Sequence, residues 1–129
     1  MRERKPQILI IEDDEYSREA LEYVLKAEGC ETQSASDGRA GYRLACQTPP
    51  DVVIIDLRLP DMNGQQLISL FRSDHRLGTV PILVVTGFNR EDIPSAGEMG
   101  ADLCLTKPVS IEDYLRAVRD LMSRTEVSH

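Results

Sequence analysis

The amino-acid sequence predicts an α/β fold in which a five-stranded parallel sheet is covered by helices on both faces. Three short runs, at residues 8–11, 52–55 and 82–85, are apolar at every position instead of alternating with polar residues. Strands with this pattern are buried on both faces, as the strands of parallel sheets are. Segments with helical periodicity separate the runs, and this alternation of strand and helix is typical of a doubly wound sheet.

The two remaining strands are less apolar than these three. Residues 103–105 form a shorter run, Leu-Cys-Leu. Residues 31–35 are Glu-Thr-Gln-Ser-Ala, and this polar composition predicts a strand at an edge of the sheet. With these two strands the alternation repeats five times, so the sequence predicts five strands and five helices.

The first three helices have recognisable ends. The helix predicted over residues 16–28 stops at Gly29, because glycine commonly follows the last turn of a helix. Asp37 can cap a second helix that extends to about residue 47, before two consecutive prolines. The third helix, over residues 65–74, carries three apolar residues that share one face: Leu67, Leu70 and Phe71.

The last two helices differ in the strength of their signals. The segment between Gly87 and Gly100 contains Pro94, so we expect a short helix that begins near this proline. Ser110 and Asp113 have the spacing of a capping box, with Asp in place of the usual Glu, and they predict the start of the final helix. The apolar stripe of that helix consists of Ile111, Leu115, Val118, Leu121 and Met122.

Length and composition exclude several classes of function. The 129 residues have a mass of 14.5 kDa, which predicts one domain over residues 1–129, with a core at about 7–123 and a loose tail over 125–129. A net charge of −7 opposes direct binding to nucleic acid. No apolar run approaches the roughly 20 residues that cross a membrane, so we expect no membrane insertion.

The three cysteines carry little functional signal. Cys30, Cys46 and Cys104 are widely spaced and form no Cys-x-x-Cys pair. An odd number of cysteines at these distances favours neither a disulfide framework nor a zinc site. We therefore expect buried or half-buried thiols and a cytoplasmic location.

Polar residues follow the apolar runs at the ends of the predicted strands. Glu12 and Asp13 come after the first run, Asp56 after the second and Thr86 after the third, while Lys107 follows the shorter fourth run. Because all strands of a parallel sheet point the same way, their carboxyl ends meet at one edge. We expect these five side chains to converge there, with the first and third strands adjacent at the centre of the sheet.

Three carboxylates at one edge require compensating positive charge. Two carboxylates about 4 Å apart repel by roughly 4 kcal/mol at an effective dielectric constant near 20. Lys107 neutralises one charge, and a set of oxygen ligands without Cys or His selects Mg²⁺. A carboxylate nucleophile, a divalent cation, a hydroxyl and an ammonium group together indicate a phosphoryl-transfer site.

Two architectures fit a doubly wound domain of this size, namely the nucleotide-binding half and the flavodoxin-like strand order 2-1-3-4-5. Five motifs occur in the chain at set intervals: Ile8-Leu-Ile-Ile-Glu-Asp13, Asp56-Leu-Arg-Leu-Pro-Asp-Met-Asn-Gly64, Val84-Val-Thr-Gly87, Gly100-Ala101 and Leu105-Thr-Lys-Pro108. Together they resemble the receiver domains of two-component response regulators, of the single-domain type found in chemotaxis and sporulation regulators. The resemblance extends from residue 7 to about 123 and implies the flavodoxin-like order.

The resemblance also implies a role for each residue at the edge. Asp56 would be the phosphoacceptor, and Mg²⁺ would be held by Glu12, Asp13, Asp56 and the backbone carbonyl of Arg58. The Thr86 hydroxyl and the Lys107 ammonium would bind the phosphoryl oxygens. A third acid, Asp14, would lie outside the metal ligands, and the Lys107–Pro108 bond would be cis.

The partners implied by the resemblance are proteins. A histidine kinase or a histidine phosphotransfer protein would supply the phosphoryl group, and phosphotransfer and autodephosphorylation would be the only chemistry of the chain. A downstream effector would bind the face formed by helix 4, strand 5 and helix 5.

The bulky Arg58 and Phe88, each two residues beyond a site residue, would shield the phosphoryl group from water.

The sequence departs from the family pattern at Cys104, where relatives usually carry Tyr or Phe. This departure leaves open a second function, in which the chain is a degenerate receiver that acts as a scaffold without phosphorylation. A phosphatase of the haloacid-dehalogenase type needs a second acid two residues after the nucleophile, where this chain has Arg58. A flavodoxin-like FMN carrier is disfavoured because the acids at residues 12–14 would repel its phosphate.

Overall fold

The computed structural model describes residues 4–87 and 96–127 of the chain. Its five strands form one parallel sheet in the order β2-β1-β3-β4-β5, which confirms the predicted order. The strands are β1 Gln7–Ile11, β2 Glu31–Ala35, β3 Val52–Asp56, β4 Ile82–Thr86 and β5 Leu103–Thr106. As predicted, the polar strand β2 lies at an edge, and β1 and β3 are neighbours in the middle.

Strands β3 and β4 are one residue longer than the apolar runs that predict them. Asp56 pairs with Val85 across the sheet, and Thr86 pairs with Thr106. The ladder continues because backbone pairing does not depend on whether a side chain is apolar. The phosphoacceptor candidate and the threonine are therefore held by the sheet itself, at its carboxyl edge.

Five helices connect the strands. They are α1 Glu15–Ala27, α2 Gly38–Gln47, α3 Gly64–Ser73, α4 Ala96–Met99 and α5 Ile111–Val127. Helix α4 has four residues in the described part of the chain, while the predicted start near Pro94 falls outside the described residues. Helix α5 extends to Val127 and so includes the first three residues of the segment that the sequence predicts as a loose tail.

Side chains at the helix ends agree with the predicted caps. The Asp37 carboxylate accepts a hydrogen bond from the Ala40 N–H at 2.8 Å, and the Ser110 hydroxyl accepts one from the Asp113 N–H at 3.1 Å. These bonds satisfy N–H groups that have no partner inside the helix. After α1, Gly29 adopts a φ of 92°, a left-handed conformation that side chains disfavour.

Two apolar clusters lie on opposite faces of the sheet. Leu9 and Ile11 of β1 point into one cluster, and Ile8 and Ile10 into the other, because successive strand residues face opposite sides. Helices α2, α3 and α4 cover the first face, and α1 and α5 cover the second. The continuous apolar runs therefore reflect burial on both sides, as predicted.

Two apolar residues of the helical stripes are exposed. Leu70 of α3 is 40% exposed and Ile111 of α5 is 58% exposed, although helical spacing places each of them on the apolar stripe of its helix. Leu70 lies beyond the edge of the face that packs on the sheet, and Ile111 occupies the first position of its helix. The cysteines agree with the prediction, since Cys30 is buried and Cys46 and Cys104 are half-buried.

We predict that Gly41→Ala lowers the free energy of unfolding by about 1–3 kcal/mol, the usual effect of overpacking a core. A Cβ at residue 41 would lie 2.6 Å from Cγ1 of the fully buried Ile11, so α2 and β1 would have to separate. Gly97→Ala is the matched control, because a Cβ there meets nothing within 4 Å. Equal unfolding free energies for the two variants in urea titrations would contradict this prediction.

Candidate metal site at the carboxyl edge of the sheet

Three carboxylates meet at the carboxyl edge of the sheet. Ile11 of β1 pairs with Ile55 of β3, so the residues that follow them, Glu12 and Asp56, are neighbours. One oxygen from each of Glu12, Asp13 and Asp56 lies within 4.8 Å of the other two. Glu12 and Asp56 are buried and Asp13 is exposed, which gives the cluster a closed side and an open side.

Lys107 supplies the positive charge that this cluster needs. Its Nζ lies 3.1 Å from Oε1 of Glu12 and 3.2 Å from Oδ2 of Asp56, so one ammonium bridges both buried carboxylates. Burial alone would lower the pKa of Lys107, but the two carboxylates outweigh that effect and raise it. The lysine is therefore held in its charged form.

The compensation for Glu12 is incomplete. Burial, together with the nearby Asp56 carboxylate, raises the pKa of Glu12. Hydrogen bonds from the Asp14 N–H, at 3.0 Å, and from Lys107 act in the opposite direction without cancelling the shift. The ionised form of Glu12 is therefore destabilised, and a further cation beside it would stabilise that form.

The turn between β1 and α1 is held by residues whose roles the sequence did not reveal. Arg18 of α1 donates a hydrogen bond to the Glu12 carbonyl at 2.8 Å and a longer one, at 3.4 Å, to the Asp13 carbonyl. Asp14 caps α1 by accepting from the Ser17 N–H at 2.8 Å, consistent with its expected place outside the metal ligands. No sequence signal singles out Arg18, because arginine is common on exposed helices.

Thr86 and Lys107 are brought together by the pairing of β4 with β5. The Lys107 N–H donates to the Thr86 carbonyl at 2.7 Å, and Thr86 is fully buried at the end of its strand. The Lys107–Pro108 peptide bond is cis, as predicted. Both residues therefore reach the edge at which the three carboxylates meet.

The segment after Asp56 turns sharply and returns to α3. The Arg58 N–H donates to Oδ1 of Asp56 at 2.9 Å, and Arg58 forms an isolated antiparallel bridge with Asn63. A Cβ at residue 64 would lie 2.8 Å from the Leu57 Cα and 3.1 Å from the Asp56 carbonyl oxygen. This close backbone approach explains why the second motif ends in Gly64, at a set distance from Asp56.

The donor set suits a hard divalent cation. Glu12, Asp13 and Asp56 offer carboxylate oxygens and no nitrogen or sulfur, which is the chemistry that Mg²⁺ prefers. The exposed side of the cluster leaves room for water or for phosphoryl oxygens. The residues present therefore fit the expected metal.

Two expectations about the surroundings of the site remain predictions. Phe88 lies outside the described residues, so its expected shielding role with Arg58 has no structural counterpart here. Cys104 is half-buried in β5 and packs against the core cluster that lies under α2, α3 and α4.

In the part of the chain that the structure describes, no helix has the length and apolar character needed to span a membrane.

Comparison with known protein families identifies the class of this chain. Residues 8–119 match the response regulator receiver domain, which covers most of the sequence. The chain belongs to this family. We expect other members of this family to share the strand order and the acidic cluster described above.

Solved structures similar to this chain include two receiver domains. One is the signal receiver domain of a signal transduction histidine kinase from Syntrophus aciditrophicus, with a TM-score of 0.87, 30% identity and coverage of 96% of this chain and 95% of that one. The other is a CheY-like receiver domain protein from Methanospirillum hungatei, with a TM-score of 0.89, 25% identity and coverage of 97% and 99%.

Two curated relatives have names that describe transcriptional regulators. The DNA-binding dual master transcriptional regulator RpaA of Synechocystis sp. is 37% identical over 122 residues, which cover 94% of this chain and 51% of RpaA. The transcriptional regulatory protein CusR of Escherichia coli is 34% identical over 119 residues, which cover 92% of this chain and 52% of CusR. The chain spans about half the length of these relatives.

We predict that Mg²⁺ raises the melting temperature of the protein and that Asp13→Ala removes this response. Bound Mg²⁺ stabilises the folded state by mass action and also relieves repulsion among the carboxylates. Without Mg²⁺, the variant should melt no lower than the native protein, since it has one negative charge fewer. Thermal melts with and without Mg²⁺ test this, and an undiminished Mg²⁺ response in Asp13→Ala would refute it.

Proposed function

We propose that this chain is a phosphorylation switch in which Asp56 accepts a phosphoryl group from a phosphohistidine on a partner protein. A carboxylate oxygen of Asp56 forms a bond to phosphorus while the bond between phosphorus and the histidine nitrogen breaks. The products are an acyl phosphate on Asp56 and a free histidine. The observation that carries the proposal is the Lys107 ammonium between Glu12 and Asp56, at 3.1 and 3.2 Å.

The side chains around Asp56 would have different roles in this transfer. Lys107 and the Thr86 hydroxyl would bind the phosphoryl oxygens while the negatively charged phosphoryl group is transferred to Asp56. Glu12 and Asp13 would hold Mg²⁺ with Asp56 and the Arg58 carbonyl, and the bound ion would offset the charge of the acids and of the phosphoryl group. Positioning and charge compensation therefore supply most of the catalysis.

A histidine-bearing partner must approach Asp56 from the open edge of the sheet. Beside that edge, a groove of about 540 Å³ lies between α1 and the start of α5, and Lys107 forms part of its wall. The rest of the wall is mainly apolar and includes Ala20, Val24, Val109 and Ile111. We assign this groove to the phosphodonor protein, because a partner seated there lies next to the residue that binds the phosphoryl group.

Exposed apolar side chains extend this surface along α1. Tyr16 is 83% exposed and Tyr23 is 77% exposed, and the spacing of Tyr16, Ala20 and Tyr23 places all three on one side of the helix. Exposed apolar patches of this kind mark protein-binding surfaces. The donor would thus contribute an apolar surface of its own, with the phosphohistidine near its edge.

The output of the switch would be a change in protein contacts on the face formed by α4, β5 and α5. Lys107 directly follows β5, so a change in its partners at the site reaches this face through the backbone. RpaA is named a transcriptional regulator and CusR a transcriptional regulatory protein, and their length is about twice that of this chain. The alternative of a phosphorylation-independent scaffold, which Cys104 in place of an aromatic residue left open, is not favoured by the match to the receiver-domain family.

We predict that the protein gains the mass of one phosphoryl group when it is incubated with Mg²⁺ and acetyl phosphate, and that Asp56→Asn does not. Asparagine keeps the size of the side chain but is a much poorer nucleophile and a weaker metal ligand. Intact-protein mass spectrometry measures the adduct. If the native protein never gains the adduct while it binds Mg²⁺, the scaffold would be the better description.

We further predict that Ile111→Glu slows phosphoryl transfer from a phosphorylated histidine phosphotransfer protein by at least about tenfold, because a charge would be buried in the groove. Phosphorylation by acetyl phosphate should be unchanged, since this small donor needs no docking surface. Leu70→Glu is the matched control, because Leu70 is also an exposed apolar residue but lies on the opposite face of the sheet. Equal transfer rates for both variants would rule out the groove as the docking surface.

A further inference from the structure

The loop between β3 and α3, residues 57–63, is fastened to the start of α2. Oδ1 of Asp61 accepts a hydrogen bond from the Gly38 N–H at 2.8 Å, and Oδ2 accepts one from the Arg39 N–H at 2.9 Å. The first N–H groups of a helix have no partner within the helix, so a carboxylate placed there binds strongly. These hydrogen bonds lower the pKa of Asp61, which keeps it ionised.

A second contact supports the same attachment. Met62, the next residue of the loop, lies directly over Gly38, where a Cβ would come 2.7 Å from its Cγ and 2.8 Å from its Sδ. A glycine at this position allows the loop to approach the helix closely. Two consecutive loop residues therefore hold the loop to α2, one by hydrogen bonds and one by packing.

The same loop includes Arg58, whose backbone N–H lies at the site. Arg58 lies between Asp56 and Asp61, and its N–H already binds Oδ1 of Asp56. The proposed function requires the Arg58 carbonyl as a metal ligand. Without an attachment in the middle of the loop, this carbonyl would have to be ordered when the metal binds, and the lost conformational freedom would weaken binding.

We propose that Asp61 is a positioning residue for the metal site, which acts by tying the loop that carries the Arg58 carbonyl to the first turn of α2. This role rests on the proposed function, since it concerns the metal ligands of that site. Asp61 does not itself bind the metal or the phosphoryl group. Its contribution is to keep the loop in the conformation that metal binding needs.

Asp37 provides a matched control within the same helix end. Its carboxylate caps α2 by accepting from the Ala40 N–H at 2.8 Å, but Asp37 precedes α2 and is not part of the loop. Asp37→Ala and Asp61→Ala each remove one negative charge and at least one N–H partner from the first turn of α2. The two variants differ in whether the loop loses its attachment.

The test is the Mg²⁺ dissociation constant of the whole chain, measured by isothermal titration calorimetry beside the melting temperature. We expect Asp61→Ala to weaken Mg²⁺ binding by about tenfold, the size of effect seen when outer partners of metal ligands are removed. Asp37→Ala should lower the melting temperature while changing Mg²⁺ binding by less than about twofold. Asp61→Asn, which keeps one acceptor oxygen, should fall between Asp61→Ala and the native protein.

Two results would overturn the inference. Asp61→Ala and Asp61→Asn could both bind Mg²⁺ as tightly as the native protein, or Asp37→Ala could lose as much affinity as Asp61→Ala. If binding is lost in Asp13→Ala and unchanged in both Asp61 variants, the positioning role fails and the proposed metal site stands. A native protein that binds no Mg²⁺ would overturn both.

Discussion

Repulsion among the carboxylates of Glu12, Asp13 and Asp56 is the interaction on which the rest of the site depends. A single ammonium, that of Lys107, bridges the two buried acids although it is 95 residues away from Glu12 in the chain. Its own pKa is raised by this pairing, and the pKa of Glu12 remains raised despite it. The folded chain therefore maintains a surplus of negative charge at this edge, which a divalent cation would offset.

The sheet makes this arrangement possible because it is buried on both faces. Strands β1 and β3 are held from both sides by helices, so their carboxyl ends form a rigid edge from which Glu12 and Asp56 project. Polar contacts also hold the turns beyond that edge. Arg18 binds the carbonyls of the first turn, and Asp61 ties the second loop to α2.

Phosphorylation would change the charge balance at a defined place. A phosphoryl group brings about −1.5 to −2 charges at neutral pH and would compete with Glu12 and Asp56 for the Lys107 ammonium. Because the Lys107 N–H is bonded to the Thr86 carbonyl at the end of β4, the response would begin at the edge shared by β4 and β5. Cys104 on β5 is small, so the response here would not depend on the movement of an aromatic ring.

The sequence by itself determined the parallel sheet and the meeting of the acids with Lys107, because continuous apolar runs indicate strands buried on both faces and parallel strands end at one edge. The strand order followed from the resemblance to receiver domains. It also indicated the Asp37 cap, whose signal is local. It could not show that Leu70 and Ile111 are exposed, since helical spacing does not tell how wide the packed face is. Only the tertiary structure revealed the hydrogen bonds of Arg18 and Asp61. Hydrogen bonds from a helix to a turn, or from a loop to another helix, depend on how separate elements pack and leave no periodic pattern in the chain.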